Sequence, residues 1–219
     1  MDLAIGSGPP RRERADAVRN RRLILDAAAA LFAEHGVENV SMDAVATAAG
    51  VGKGTLFRRF GDRAGLAAAL LNERETDLQQ AILGGPAPLG PYPGAPDSAA
   101  AAADRAADRA EAFTRAYLEY AFANLELVRA SETASPGARY RIGAYRFWHR
   151  HLAVLLAGAG HAATAADVLA GALLAPLAAD HLGAQLEAGR TPGEIADALA
   201  WQARTVLAAP ANTQAGPGN

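Results

Sequence analysis

Between Ser41 and Phe60 the chain reads SMDAVATAAGVGKGTLFRRF, and Gly50-Val51-Gly52 divides two helical periods whose faces differ in kind. The first sets Met42, Val45, Ala46 and Ala49 at i, i+3, i+4 and i+7, one apolar face at helical spacing. Ser41 stands where a hydroxyl caps free amides, and Asp43 brings negative charge to the positive end of the helix dipole. Gly50 supplies a backbone able to leave the helix, and Val51 can plug the angle between the two helices. The second period keeps Leu56 and Phe60, with Phe57 as a third candidate, for a core, and leaves Lys53, Thr55, Arg58 and Arg59 facing outward. This is the pattern of a helix-turn-helix whose second helix suits a DNA groove.

So short a probe needs a scaffold, and both flanks predict one. Upstream, Ile24, Ala28, Leu31, Phe32 and His35 fall on one helical face, and Gly36 stops the run. Downstream, Asp62 can cap a further helix with Leu66, Leu70 and Leu71 on its inward side. The unit reads as three helices and the start of a fourth.

From about Arg21 to Leu71 this stretch resembles the N-terminal DNA-binding domain of the TetR family of transcriptional regulators. The residues that carry the likeness are Ala28, Phe32, Gly36, Val45-Ala46, Ala49-Gly50-Val51, Gly54-Thr55-Leu56 and Phe60. Three positions depart from the family pattern: Phe57 stands where a phosphate-touching Tyr is usual, Arg59 where His is frequent, and Arg63 where Lys is frequent. The first removes a phosphate contact; the other two keep or add positive charge. Gly52, Lys53, Gly54, Thr55 and Phe57 then lie at the DNA, with Lys53, Gly54 and Thr55 the candidates for base edges and groove. Ser41, Arg58, Arg59 and Arg63 are the candidates for phosphates, which set register without choosing sequence.

Charge is distributed to match. The chain carries a net −2, yet residues 11–63 hold ten basic and seven acidic side chains, so only this part suits a polyanion. Arg11, Arg12, Arg14, Arg19, Arg21 and Arg22 form an arm that either lies along DNA or is merely solvated. Twenty of the 21 basic residues are Arg and Ala is abundant, the mark of a GC-rich genome, which weakens any functional reading of Arg in place of Lys. The absence of Cys excludes disulfides and thiol chemistry. With no signal-like start and no apolar run long enough to span a bilayer, a cytoplasmic protein without membrane contact is expected. No phosphate loop, nucleophile elbow or Cys-based metal site is present, so neither an enzyme nor a cofactor or metal is expected. His149 and His151 point to different helix faces and make no ready metal pair.

The remainder reads as helices broken by loops. Gly84 to Asp97 packs nine Gly or Pro into fourteen residues, which predicts a flexible loop, either a lid or disordered. The next helix presents Phe113, Tyr117 and Tyr120 on one face, a stripe that serves a core or walls a pocket. After a break at Ser131 to Gly137, Tyr140, Phe147 and His151 share one face, and Tyr145, Trp148, Leu152 and Leu155 the adjacent one. In the resembling family this region commonly encloses a ligand, which makes Phe113, Tyr117, Tyr120, Phe147, Trp148, His151 and His181 candidate contacts to a small-molecule effector. A helix over Thr164 to Gly189 should kink at Pro176, and a last helix should start with Thr191 as cap and Pro192 in its first turn. The family pairs its last helices across a dimer, and Leu169, Leu173, Leu177, Ile195, Leu199 and Trp201 are the candidates for that interface or for the chain's own core.

The expected fold is all-α: residues 1–15 a disordered basic arm, 16–63 a helix-turn-helix domain, 64–209 a helical regulatory and dimerisation domain, and 210–219 a disordered tail. The function implied is a homodimeric repressor on a pseudo-palindromic double-stranded operator, released by an effector that favours the wrong spacing of its two heads. The alternative is an all-α interaction protein that keeps the fold but acts mainly through a protein partner.

Overall fold

The computed structural model describes residues 11–133 and 136–208. Among them the chain is all helical, with eleven α-helices, two short 3₁₀ turns and no strand. It divides into two compact units, Met1–Glu73 and Arg74–Asn219.

The first unit holds α1 (Arg11–His35), α2 (Met42–Ala49), α3 (Lys53–Phe60) and the start of α4 (Arg63–Gly84). Its buried side chains include Ile24, Leu25, Ala28 and Phe32 of α1, Val45 and Ala46 of α2, Leu56 and Phe60 of α3, and Leu66, Leu70 and Leu71 of α4. His35, expected on the inner face of α1, is exposed, because the face turns inward through Leu25 and ends at Phe32. Phe57 is likewise outside the core, 47% exposed. Helix α1 already runs from Arg11, so residues 11–15 of the expected arm are helical, while residues 1–10 and the expected tail 210–219 lie outside the described residues. The unit also reaches beyond residue 63, since buried leucines of α4 belong to it and Glu73 pairs with Arg22 at 3.6 Å.

The second unit continues α4 and adds α5 (Ala99–Ala123), α6 (Leu125–Thr133), α7 (Ala138–Arg141), α8 (Gly143–Gly158), α9 (Ala163–Leu174), α10 (Ala179–Glu187) and α11 (Pro192–Ala208). Its core gathers Phe113, Tyr117 and Leu118 of α5 with Trp148, Leu152 and Leu156 of α8, Leu173 and Leu174 of α9, and Ile195 and Leu207 of α11. Helix α11 lies along α5, where Arg115 reaches Asp197 at 2.7 Å and Arg204 pairs with Asp108 and Glu111. Residues 85–98 carry no helix, in keeping with their Gly and Pro content. The segment is nonetheless tied to α5: the Tyr92 hydroxyl donates to Asp108 at 3.0 Å, and Arg105 donates to the Gly94 carbonyl at 3.0 Å. Among the described residues no single helix is long and apolar enough to cross a membrane.

Pro176 does more than kink a helix. The run expected over Thr164 to Gly189 is cut into α9, a 3₁₀ turn at Ala175–Leu177 and α10, with a 44° bend. A proline here removes one donor and stops the i to i−4 ladder, so backbone groups on both sides of the break need other partners. Arg139 donates to the Leu174 carbonyl at 2.8 Å, and Glu132 accepts from the Ala179 amide at 2.9 Å. The two side chains also pair with each other, and they are only 11% and 9% exposed. At the start of α11, Thr191 accepts the Glu194 amide at 3.2 Å while the Glu194 carboxylate accepts the Thr191 amide at 2.8 Å, a reciprocal capping box.

Breaking a buried ion pair strands the partner charge, whereas losing an exposed cap does not. Glu132→Ala is therefore expected to lower unfolding free energy by about 3–5 kcal/mol, and Thr191→Ala by about 1 kcal/mol. Urea denaturation followed by far-UV circular dichroism measures both, and equal small losses would contradict the sealing role given to Glu132.

Candidate nucleic-acid interface and core cavity

Helix α2 ends at Gly50 with φ 66° and ψ 31°, the left-handed region that favours glycine. There the Gly50 amide donates to Thr47 at 3.2 Å and the Val51 amide to Ala46 at 3.0 Å, the paired bonds of a Schellman stop. Gly52 then caps α3 without a side chain, so the first amides of α3 have no side-chain acceptor at their open end. The dipole of a helix makes such an end attractive to anions.

Along α3 only Leu56 and Phe60 are buried. Gly52, Lys53, Gly54, Phe57, Arg58 and Arg59 are exposed and Thr55 is half-exposed, so the residues expected to meet DNA do share one accessible helix. A methyl group built on Gly54 would meet nothing within 4 Å, and its φ is not positive. Glycine inside a helix costs about 1 kcal/mol relative to alanine, and nothing in the chain's own packing calls for it here. Ser41 spends its oxygen on the Ala44 amide at 3.1 Å, leaving its hydroxyl hydrogen available to an acceptor. Arg63 is half-buried at the start of α4, where Asp62 accepts the Gly65 amide at 2.8 Å.

Two contacts were not visible in the sequence reading. Lys53 pairs with Asp43 across the turn, so Asp43 serves the neighbouring helix as well as its own dipole. Opposite charges at the starts of two helices that face each other were the available signal. Arg59 donates to the Ala17 carbonyl at 2.9 Å, which ties α3 to α1 and gives this Arg a structural duty beside any phosphate contact. A backbone acceptor leaves no trace in residue identity. Asp16, Ala17 and Asn20 of α1 thereby join Thr55, Arg58 and Arg59 around an open groove of about 450 Å³.

In the second unit the aromatic residues expected around a ligand are mostly brought together. Phe113 lies 5.8 Å from Trp148 and 5.4 Å from His151, and Tyr117 lies 5.8 Å from Tyr120, between ring centres. Phe147 stands edge-on to Trp148 at 5.2 Å. Tyr117, Tyr120, Tyr145 and Trp148, with Glu75 and the Glu132–Arg139 pair, line a cavity of about 20 Å³, room for a single water-sized group. The Tyr120 hydroxyl donates to Glu75 at 3.1 Å. Burial pushes the Glu75 carboxyl above its ordinary range, an effect that this hydrogen bond only partly offsets. Burial, with the nearby Glu75 charge, also drives the Tyr120 phenol far up.

Other candidates fall elsewhere. His181 is exposed and lies apart from this cluster, bonding Gln185 at 3.2 Å and lining a separate open groove with Arg190, Glu194 and Leu199. Leu173, Leu177 and Ile195 are 6%, 1% and 5% exposed, so they are committed to the chain's own core and offer nothing to a second chain. Leu169 and Leu199 are half-buried, while Trp201 is 68% exposed. Val154 and Val168, at 51% and 66%, are exposed apolar residues that periodicity did not single out. Among the described residues, no three His, Cys, Asp or Glu side chains gather as a metal site.

A basic, exposed second helix fixed by a glycine stop is the geometry of a helix-turn-helix unit. Residues 24–70, within the N-terminal unit, match the family described as bacterial regulatory proteins, tetR family. A helix-turn-helix-type transcriptional regulator of Staphylococcus aureus strain bovine RF122 is 49% identical over 53 residues, 24% of this chain and 29% of that protein. One from strain USA300 is 43% identical over 65 residues, 30% of this chain and 35% of that protein. The chain thus spans about a third of these relatives. A TetR-like transcriptional regulator from Rhodococcus sp. RHA1 shares the fold with a TM-score of 0.55 at 21% identity, over 86% of this chain and 96% of that one. A transcriptional regulator from Saccharomonospora viridis, solved in complex with choline, does so with a TM-score of 0.59 at 22% identity, over 83% and 94%. These relatives and neighbours are regulators, not enzymes.

His151 provides a test of the core. Burial, and to a lesser degree the charge of Arg109, push its pKa from 6.5 down to about 4, and its Nε2 has no partner. The unfolded chain therefore takes up the proton first. The contribution to stability is full above about pH 6.5 and is lost as pH falls towards 4, with a slope approaching about 1.4 kcal/mol per pH unit. His151→Phe is expected to remove this slope from the stability profile measured by denaturant titration at a series of pH values. Parallel profiles for the two proteins would show that His151 is not held neutral.

Proposed function

We propose that this chain is a DNA-binding transcriptional regulator, a homodimer that represses from a pseudo-palindromic operator and is released by a small-molecule effector. The observation that carries the DNA reading is α3: eight residues, two of them buried, with Lys53, Gly54, Arg58 and Arg59 exposed and open space above Gly54. The tetR-family match over residues 24–70 supports the same reading.

In this reading Lys53, Gly54 and Thr55 enter the major groove, with Gly52 at the open helix end and Phe57 in apolar contact beside it. Ser41, Arg58, Arg59 and Arg63 hold phosphates. The Asp43–Lys53 pair must yield when the ammonium turns to a base edge or phosphate, and because it is an exposed surface pair its loss opposes binding only weakly. One such head spans few base pairs, so two are needed about 34 Å apart for useful selectivity. The partner surface we propose uses Trp201, Val154 and Val168, with Leu169 and Leu199 at its margin. Their exposure supports it, as large apolar side chains in water mark contact sites. That a protein of this fold has been captured with choline supports a small-molecule effector.

Fluorescence anisotropy with the DNA upstream of the gene and with random duplex tests the division of roles. Lys53→Ala is expected to lose tenfold or more on the specific duplex and little on the random one, whereas Arg63→Ala weakens both alike and flattens the salt dependence by about one unit of slope. Equal losses on both duplexes for both variants would refute base reading by Lys53.

A further inference from the structure

The cavity of the second unit carries an imbalance of charge. Of its three ionic groups, Glu132 and Arg139 neutralise each other and are held further by Ala179 and Leu174. Glu75 is left with the Tyr120 hydroxyl, a neutral donor, and among the described residues no basic side chain pairs with it. Tyr117, Tyr120, Tyr145 and Trp148 line the same cavity as this carboxylate. Aromatic faces are negative and attract cations, and a desolvated carboxylate without a counter-charge does so more strongly. The chain itself uses the same affinity nearby, since the Arg139 guanidinium lies 5.4 Å from the ring centre of Tyr145. The free space, about 20 Å³, matches one water or one ammonium head, and the cavity is only partly enclosed, so the alkyl tail of an amine lies outside it.

We infer that this cavity is a binding site for the ammonium head of a small organic amine, with Glu75 as its counter-ion and the three tyrosines and Trp148 as its walls. The inference rests on the proposed effector reading and gives that effector a chemical class. An acid is disfavoured because it would face Glu75, and a neutral alcohol would leave the carboxylate uncompensated. The raised pKa of Glu75 agrees with this: an arriving cation stabilises the ionised form, so binding near neutral pH is expected to release a fraction of a proton.

Isothermal titration of the full chain with n-butylammonium, n-pentanol and butyrate tests the site. The amine is expected to bind with an apparent Kd in the millimolar range or tighter, at least tenfold more tightly than either other probe. Glu75→Gln, which keeps an acceptor for Tyr120 and folds as judged by its thermal melt, is expected to lose tenfold for the amine and nothing for pentanol. Tyr120→Phe, a second variant, frees the carboxylate of its one donor and is expected to keep amine binding. Equal or tighter binding of pentanol or butyrate, no binding of any probe, or unchanged amine affinity in Glu75→Gln each overturns the inference. The same preparation is titrated onto upstream DNA without and with amine. Amine binding that leaves DNA affinity unchanged upholds the site and overturns release by this effector, whereas failure to bind DNA at all overturns the regulator reading and leaves the site standing on its own titration.

Discussion

Everything the first unit presents depends on the stop at Gly50. An eight-residue helix is unstable alone in water, since its nucleation cost is spread over too few bonds. Helix α3 is further weakened by Gly54 and anchored by only Leu56 and Phe60, which contribute roughly 1.5–3 kcal/mol each by burial. Its position is set instead by the two Schellman bonds that turn the chain in three residues, by Val45 and Ala46 in the core beneath it, and by Arg59 on the Ala17 carbonyl. Apart from Arg59 and the Lys53–Asp43 pair, the outer surface of α3 is thereby freed from duty to the fold. A left-handed backbone at residue 50 is what lets a helix be basic and exposed while its placement stays fixed.

The second unit solves a different problem. Its core is packed from Ala, Leu and aromatic rings, and the interruption at Pro176 leaves backbone groups that must be satisfied inside. The Glu132–Arg139 pair does this from α6 and α7, and in doing so it neutralises two of the three charges that line the central cavity. The negative character of that cavity is a consequence of how the break is sealed. Polar groups there are few and placed, which is the arrangement that gives orientation to a ligand in an otherwise apolar site.

The sequence made the fold class and the helix-turn-helix legible because both rest on local rules: helical spacing of Val45, Ala46, Leu56 and Phe60, a glycine at the turn, and a hydroxyl at Ser41. The capping role of Thr191 and a bend at Pro176 were legible for the same reason, but not that the helix is cut in two there. What lay beyond it depends on tertiary neighbours. Leu173, Leu177 and Ile195 look from periodicity like any apolar stripe, and only packing decides that they face inward while Val168 and Trp201 do not. His181 was grouped with the aromatic residues by residue type, yet it belongs to a different groove. Glu75 was missed because an acidic residue on a charged helix carries no mark of burial; its partner Tyr120 is 45 positions away.

The central claim is that α3 reads duplex DNA from a fixed mount and that two copies do so together. Hydroxyl-radical footprinting of the upstream DNA measures this most directly. The account requires two protected patches whose centres lie one helical turn, or a whole multiple of it, apart and which appear together over a single range of protein concentration. Protection that is uniform along the duplex, or one patch that saturates alone, would contradict it.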